Sequence, residues 1–257
     1  MGKNIVAVAE RSEMRPIALL KTGSTIGPIK SQHGDFEDWF AAGTGVANLL
    51  QVDVFRQQAL PAPDQLSGVL ITGSAAMVSA REDWSEQCAK WLTVAVGKDI
   101  PILGVCYGHQ LLAHALGGRV GPNPNGRQIG TVSARLLASA TSDPLLGYLP
   151  QELEVQTSHS ECVLELPAGA VRLASSPLDD NFAMRFASNV WGVQFHPEFS
   201  AAIMTQYLKL RAAALCNEGL KPEQLIERVK EAVTAGTVLQ KFAEIVVSHR
   251  KNKENQC

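Results

Sequence analysis

The sequence predicts an α/β fold with a mostly parallel central sheet in a chain of 257 residues. Short, fully apolar runs alternate with segments of helical periodicity as far as residue 116, which is typical of successive βαβ units. After Gly117-Gly118 the pattern changes to short β segments separated by Pro and Gly turns, and from Ala201 it becomes helical. We therefore expect one domain over residues 1–200 and a C-terminal helical extension, 201–257, packed on the same domain.

The first half of the chain supplies the predicted βαβ units. A strand at 16–20 would lead into a Gly/Ser-rich segment, 23–34, which we expect to form a mobile loop. Apolar spacing near three to four residues predicts helices at 36–50, 82–96 and 107–116. Short apolar runs bounded by Gly or Pro predict strands at 52–55, 68–72 and 101–105.

The second half is predicted to be richer in short strands. Candidate β segments lie at 129–137, 153–156, 162–166, 171–175 and 182–186, and 191–195 is the last strong strand. Beyond residue 201 the spacing is helical, and Pro222 fits the first turn of a helix. Residues 249–257 are polar, and we expect them to be frayed.

Composition excludes several classes of function. The net charge is only −2, so neither a basic stripe for nucleic acid nor a polybasic cluster for an anionic membrane is expected. No segment approaches the roughly 20 apolar residues of a spanning helix, and the N-terminus does not resemble a signal peptide. Five scattered cysteines without a CxxC pair argue against a disulfide framework or a zinc site. We expect a cytoplasmic protein.

The segment Gly104-Val-Cys-Tyr-Gly108 places a cysteine between a buried strand and a helix. A sharp strand-to-helix turn exposes its central side chain, and flanking glycines allow close backbone packing. Cys106 would then lie at a helix N-terminus, where the dipole and the free N–H groups favour a thiolate. The amide of Tyr107 would point into the same space, ready for an oxyanion. The pentapeptide alone fits a buried structural cysteine equally well.

A second motif offers the base that a thiolate nucleophile needs, together with a group to orient that base. In an extended chain His196 and Glu198 project to the same side, and Pro197 restricts how they can separate. The motif follows a buried strand, at the edge where open α/β sheets bind ligands. Two alternatives stay open: His196 is exposed by chance at a strand end, or His159, with Glu161 two residues on, is the base.

Three separated motifs resemble one family. The segment Gly104–Gly118 is similar to the nucleophile segment of class I glutamine amidotransferases, Gly192–Glu198 to their His/Glu segment, and Ile71-Thr-Gly-Ser74 to their oxyanion strand. Within the family the sequence most resembles stand-alone proteins similar to the amidotransferase domain of GMP synthase, through residues 34–36, 123–130 and 158–167. Over about residues 15–200 the resemblance implies a flavodoxin-like fold, with helices on both faces of the sheet, and a Cys106–His196–Glu198 triad.

The resemblance also implies roles for five further positions. The family's oxyanion amides fall on Gly73 and Tyr107. Gln110 matches a residue that helps to hold the glutamine substrate. Ser158 and His159 match a stretch whose backbone receives the substrate's α-amino and α-carboxyl end. From the residues alone, Gln110 would be a helix-surface amide and Ser158 a turn residue.

The sequence departs from the family pattern at three places. Ser74-Ala75 replaces a common Gly-Pro, which predicts a differently shaped oxyanion loop. Gln128 stands where relatives often have Glu. Residues 201–257 lie beyond what the pattern explains.

The implied reaction is glutamine hydrolysis through a thioester on Cys106, without a metal or an organic cofactor. The chain contains neither the P-loop pattern GxxxxGK[ST] nor the Ser-Gly-Gly-x-Asp-Ser loop of GMP synthase-type partners, so an acceptor would have to be aminated by a synthetase subunit in trans. An independent γ-glutamyl hydrolase or peptidase with the same triad is the alternative. A catalytically silent binding protein on this fold is a third hypothesis, which an intact triad disfavours.

Overall fold

A nine-stranded sheet forms the centre of the computed structural model, which describes residues 15–254. Five neighbouring strands are parallel, in the order β2-β1-β3-β4-β11. They are short and almost entirely apolar because both faces of the sheet are covered. These strands are β1 (Ile17–Lys21), β2 (Leu50–Asp53), β3 (Gly68–Ile71), β4 (Ile102–Val105) and β11 (Val190–Val193).

The sheet continues beyond β11 with four antiparallel strands, in the order β10-β9-β6-β7. A separate hairpin-like pair, β5 with β8, lies outside this sheet. The short strands after Gly118 therefore pair antiparallel, except that β11 also pairs parallel with β4. These strands are β5 (Arg119–Pro122), β6 (Gln128–Leu136), β7 (Glu152–His159), β8 (Glu161–Glu165), β9 (Val171–Ser175) and β10 (Ala183–Ala187).

Helices cover both faces of the sheet, which confirms the predicted fold class. Adjacent strand residues such as Leu19 and Leu20 belong to different apolar clusters, because successive side chains of a strand point to opposite faces. One face carries α3 (Asp83–Val96) and α4 (Tyr107–Ala115). The other carries α1 (Gly27–His33), α2 (Phe36–Thr44), α5 (Ala201–Leu210), α6 (Ala212–Asn217), α7 (Pro222–Glu227) and α8 (Val233–Glu254).

The long helix α8 packs into the core beside α2. Its residues Val238, Leu239 and Phe242 are fully buried in the same apolar cluster as Phe40 of α2. A Cβ added at Gly43 would lie 2.5 Å from Leu239 Cδ1, so the two helices approach each other closely. Buried residues of the C-terminal helices thus share one apolar cluster with the sheet and with α2.

Several local predictions were wrong. The helix predicted at 36–50 ends at Thr44, and Leu50 begins strand β2. The Gly/Ser-rich segment contains helix α1, because Pro28 fits its first turn and Ile29 is buried against the core. Helix α8 continues through His249, whose Nε2 donates to the carbonyl of Asp99 at 2.7 Å and holds the last turns against the domain. Strand β5 was not expected, since its sequence has no strand periodicity and its pairing with β8 is a tertiary contact.

Candidate active site

Cys106 occupies the sharp turn between β4 and α4 and is the N-cap of that helix. Its backbone is strained, with φ 52° and ψ −101°, a conformation that an L-residue keeps only where the surroundings enforce it. A Cβ added at Gly104 would lie 2.4 Å from the Gly108 carbonyl carbon, so this crossing of strand and helix requires glycine. The turn presents the Cys106 side chain at the carboxyl edge of the parallel strands.

His196 and Glu198 lie just beyond β11, the neighbour of β4 in the sheet. The expectation that they share one side of an extended chain was wrong, because the strand ends at Val193 and a turn follows, in which the amide of Phe199 donates to the carbonyl of His196 at 3.3 Å. The two side chains nevertheless meet. Nδ1 of His196 donates to Oε1 of Glu198 at 2.7 Å, and both residues are buried.

The imidazole of His196 is held on three sides. It stacks on the ring of Phe199, with the centroids 4.0 Å apart, and is hydrogen-bonded to Glu198. A Cβ added at Gly73 would lie 2.8 Å from its Cε1 and 3.6 Å from Cβ of Cys106, which places cysteine and imidazole side by side around Gly73. Burial acts to lower the pKa of His196, but the charges of Glu198 and Cys106 outweigh it and raise that pKa well above its usual range.

Of the other predicted residues, Tyr107 and Ser158 also lie at this site. The carbonyl of Ser158 is 3.9 Å from the Sγ of Cys106. The Tyr107 side chain is turned into the core, where its hydroxyl is 2.6 Å from Ser85 Oγ and its ring stacks on Trp84. Only the main chain of Tyr107 is therefore free to serve a bound molecule.

The side chains of Gln110 and His159 point into the protein. Nε2 of Gln110 donates to the carbonyl of Glu161 at 2.8 Å and to Oε1 of Gln194 at 3.0 Å. Nδ1 of His159 donates to the carbonyl of Glu161 at 2.8 Å, and its Nε2 lies 3.2 Å from the side-chain oxygen of Gln128. Burial, aided by nearby positive charge, lowers the pKa of His159 to about 4. With both ring nitrogens engaged, His159 is not placed to serve Cys106 as a base.

Glu161, the partner considered for His159, is committed elsewhere. Its two carboxylate oxygens accept hydrogen bonds from the amide and the hydroxyl of Ser79. It therefore fixes the loop after β3 and does not orient an imidazole.

Two adjoining openings lead to the site. The Cys106 opening contains Cys106, Tyr107, Gln110 and residues 158–161. The His196 opening contains His196 with the apolar side chains of Ile26, Phe36, Phe199 and Tyr207. Both are bordered by Ser74, Ala75, Ser158 and Arg211.

Two arginines at these openings were not anticipated from the sequence. Arg127 precedes β6 and Arg211 lies between α5 and α6, and both line the Cys106 opening. Arg127 lies within a stretch noted for its resemblance, which singled out no role for it. Arg211 lies beyond residue 200, where no motif drew attention to it, and only the packing of α5 brings it to the site.

The remaining described cysteines differ from Cys106 in their surroundings. Burial raises the thiol pKa of Cys88 to about 12, and burial with nearby negative charge does the same for Cys162. Cys216 is exposed and lies outside both openings. Cys257 lies outside the described residues. Between residues 15 and 254, no group of three or more His, Cys, Asp or Glu side chains is arranged to hold a metal ion.

Comparison with known proteins identifies the family. The family model for glutamine amidotransferase class-I matches residues 42–213, so the chain belongs to that family. It is 35% identical over 183 residues to a glutamine-hydrolysing GMP synthase of Aeropyrum pernix, covering 68% of this chain and 33% of that protein. It is 45% identical over 101 residues to one subunit of the glutamine-hydrolysing GMP synthase of Natronomonas pharaonis, covering 39% of this chain and 53% of that polypeptide.

A solved structure has the same fold. The crystal structure of a glutamine amidotransferase from Thermotoga maritima superposes with a TM-score of 0.71 over 91% of this chain and 99% of that one, at 23% identity. The chain spans only about a third of the Aeropyrum protein and about half of the Natronomonas polypeptide. In the described part of the chain, no helix has the length and apolar character needed to cross a bilayer.

Proposed function

We propose that this protein is a glutaminase of the class I amidotransferase type, which hydrolyses the γ-amide of glutamine through Cys106, His196 and Glu198. The observation that carries the proposal is the convergence of three elements at one edge of the sheet. Cys106 and His196 follow adjacent parallel strands, both flank Gly73, and Glu198 is bonded to the imidazole at 2.7 Å. A thiol, an imidazole and an orienting carboxylate in this order form the machinery of nucleophilic acyl transfer.

The chemistry proceeds in two steps. In the first, the Cys106 thiolate attacks the γ-carbonyl carbon, and the C–N bond breaks as imidazolium His196 gives its proton to the departing nitrogen, which leaves as ammonia. The glutamyl group remains on sulfur as a thioester. In the second step, neutral His196 takes a proton from water as the water attacks the thioester, so that glutamate is released and the thiolate and imidazolium are restored.

The raised pKa of His196 suits the first step. An imidazolium that persists at neutral pH stabilises the thiolate beside it and holds the proton that the leaving nitrogen needs. Glu198 maintains this state by its charge and fixes the ring through Nδ1, which leaves Nε2 for the reaction.

We assign the oxyanion to the main-chain amides of Gly73 and Tyr107. Gly73 directly follows Thr72 after strand β3, and Tyr107 begins α4, where the first amides of a helix lack intrahelical partners. Gln110, Ser158 and His159 are proposed to shape the substrate's place, with Ser158 contributing its main chain. Because the Gln110 and His159 side chains are bonded inward, their role is to hold the wall of the opening.

The ammonia is proposed to serve a separate synthetase. This part of the proposal rests on the relatives: one is named a glutamine-hydrolysing GMP synthase, of which the chain matches 33%, and another is named as one subunit of such an enzyme. The 257 residues contain no Ser-Gly-Gly-x-Asp-Ser loop for a nucleotide. An acceptor-aminating site would therefore lie outside these 257 residues.

A γ-glutamyl hydrolase or peptidase is the second candidate, and the His196 opening favours it. Ammonia needs no pocket, yet Ile26, Phe36, Phe199 and Tyr207 form an apolar recess on the side of the imidazole that protonates the leaving group. Such a recess could take the substituent of a larger leaving amine.

Substrate turnover by wild type and Cys106→Ala tests both candidates. L-glutamine, γ-glutamyl dipeptides and γ-glutamyl amines are each offered, and free ammonia and glutamate are measured. Hydrolysis of glutamine supports the glutaminase, and turnover confined to substituted amides supports the hydrolase. Cys216→Ala, at an exposed cysteine away from both openings, is the matched control and should retain full activity. If wild type and Cys106→Ala are equally inert on every substrate, the catalytic proposal is wrong.

A further inference from the structure

Arg211 is a charged residue that borders both openings of the candidate site. It is the junction residue between α5 and α6, near the end of the range 42–213 that the family model matches. It borders both the Cys106 opening and the His196 opening, as do Ser74, Ala75 and Ser158. Among these four residues it is the only one that carries a charge.

The guanidinium of Arg211 is not neutralised by an ion pair within residues 15–254. Its Nε is buried without a hydrogen-bond partner there, and its guanidinium carbon lies 5.9 Å from the centroid of the Tyr207 ring. Leaving a buried donor unsatisfied is unfavourable. The residue as a whole is only half-buried, so its terminal guanidinium nitrogens can meet a ligand in the opening. An anionic group entering the opening would relieve this cost.

Arg127, the second arginine of the Cys106 opening, is already paired with a carboxylate. Its Nε and one terminal nitrogen donate to the two oxygens of Glu218, at 2.7 and 3.0 Å. The hydrogen bonds from Arg127 and the charge of Arg211 together lower the pKa of Glu218. Because both oxygens of Glu218 already accept from Arg127, Glu218 gives Arg211 only a longer-range attraction.

The other acidic group of the opening is also engaged. Both oxygens of Glu161 accept hydrogen bonds from Ser79. Of the charged groups that line the Cys106 opening in the described chain, Arg211 is thus the one with donors left for a ligand.

We propose that Arg211 binds the α-carboxylate of the glutamyl group whose γ-carbonyl lies at Cys106. The proposal rests on the proposed function, because it takes the occupant of the Cys106 opening to be a γ-glutamyl compound. Such a compound carries an anionic carboxylate at the end remote from the reacting carbon. The planar guanidinium matches a carboxylate through two parallel hydrogen bonds, which a lysine ammonium cannot reproduce. Arg211 is therefore a substrate-positioning and specificity residue supplied by the C-terminal helices.

The test crosses two variants with two substrates. Wild type, Arg211→Gln and Arg211→Lys are assayed on L-glutamine and on its α-carboxamide, which has the same γ-amide but no α-carboxylate charge. Hydrogen bonds to charged groups contribute about 1.5–3 kcal/mol, so Arg211→Gln is expected to lower kcat/KM on L-glutamine by roughly 10- to 100-fold. The loss is expected mainly in KM, with partial recovery in Arg211→Lys. On the α-carboxamide, the variants and wild type are expected to be nearly equal.

Arg135→Gln is the matched control, since Arg135 is an exposed arginine of β6 that lines neither opening. It should behave as wild type with both substrates. An equal loss by Arg211→Gln on both substrates would show that Arg211 acts through packing on Tyr207, which overturns the proposal.

A binding measurement separates this inference from the proposed function. If wild type hydrolyses neither substrate, the glutaminase proposal fails, and L-glutamine binding is then measured by calorimetry on wild type and Arg211→Gln. A dissociation constant at least about tenfold weaker in the variant supports carboxylate binding by Arg211 on its own. Equal affinity, or no binding by folded wild type, overturns it. Thermal melting of each variant confirms that the protein compared is folded.

Discussion

Adding a single methyl group at Gly73 tests whether His196 and Cys106 lie side by side. Gly73 follows β3 and packs between the side chains of Cys106 and His196. In Gly73→Ala the added Cβ would lie 2.8 Å from Cε1 of His196, 3.6 Å from Cβ of Cys106 and 3.6 Å from the ring of Phe36. The last two distances are ordinary contacts, so the imidazole alone would be displaced.

The size of the displacement follows from the geometry. Ordinary carbon contacts begin near 3.4 Å, so the ring must move by about 0.6 Å. It cannot do so freely, because Phe199 stacks against it at 4.0 Å and Glu198 holds Nδ1 at 2.7 Å. Since misplacing a reacting group by about 1 Å can cost roughly 100-fold in rate, we expect kcat/KM to fall by roughly 10- to 100-fold.

The assay compares glutamine hydrolysis by wild type, Gly73→Ala and Gly27→Ala. A Cβ at Gly27 would meet nothing within 4 Å, so that variant is the matched control and should keep full activity. The rate of Cys106 alkylation, followed by mass spectrometry of its peptide, gives a second readout that needs no substrate. A Gly73→Ala protein with wild-type kcat/KM and an unchanged alkylation rate would refute the placement of His196 beside Gly73.

Three further predictions concern charge. In Glu198→Gln the main charge that raises the pKa of His196 is lost, so an NMR titration should show that pKa falling towards neutral, and kcat/KM should be lower by about 100-fold or more. The pKa of His196 is raised in folded wild type, so the imidazolium stabilises the fold fully below the pKa of the unfolded state. This stabilisation is lost as pH rises through the pKa of the folded state. Asp179 is buried, and burial raises its pKa to about 6, so ionisation of this carboxyl destabilises the folded state as pH rises from about 4 to 6. In urea denaturation, Asp179→Asn should therefore raise the free energy of unfolding by about 2–3 kcal/mol at pH 8 but hardly at pH 4. Burial acts to raise the pKa of Asp35, but hydrogen bonds from a backbone amide and from Lys21, 2.9 Å away, lower it to about 2. Asp35→Asn should therefore lower the free energy of unfolding by about 2–2.5 kcal/mol at pH 7, a difference that disappears as pH falls from about 4 towards 2.

Each of these charge predictions has a clear contrary result. An unchanged His196 titration in Glu198→Gln would mean that Glu198 does not set the charge of the imidazole. A pH-independent effect of Asp179→Asn, or a destabilisation at pH 8, would mean that the carboxyl is not held neutral by burial. An Asp35→Asn variant as stable as wild type at pH 7 would mean that Lys21 finds full compensation in Glu37, which lies 2.5 Å from its Nζ.

The parallel half of the fold was predictable because its strands are buried on both faces. Runs such as Gly68–Ile71 and Ile102–Val105 are apolar throughout and bounded by Gly or Pro, so the sequence marks both their identity and their ends. Helix α1 and strand β5 lacked such signals. Helix α1 is a seven-residue helix with one buried residue, and β5 depends on β8, more than 35 residues away along the chain.

For the motif residues, the sequence predicted the turn at Cys106 correctly but not the contacts that decide between His196 and His159. The elbow at Cys106 could be predicted because glycines at 104 and 108 are needed where strand and helix cross. The pairing of His196 with Glu198 was expected for a reason that the structure replaces, since a turn and not an extended strand brings them together. His159 was a credible rival until its ring nitrogens proved to be bonded to Gln128 and to the Glu161 carbonyl.

The sequence by itself determined the fold class and the family motifs, because apolar periodicity and glycine spacing are local properties that each element carries along the chain. Only the tertiary structure decided what surrounds Cys106. It placed the His196 ring beside Cys106, turned Glu161 towards Ser79, and brought Arg211 from the C-terminal helices to the opening. Those contacts join residues far apart in sequence, and such contacts form only when the helices pack on the finished sheet.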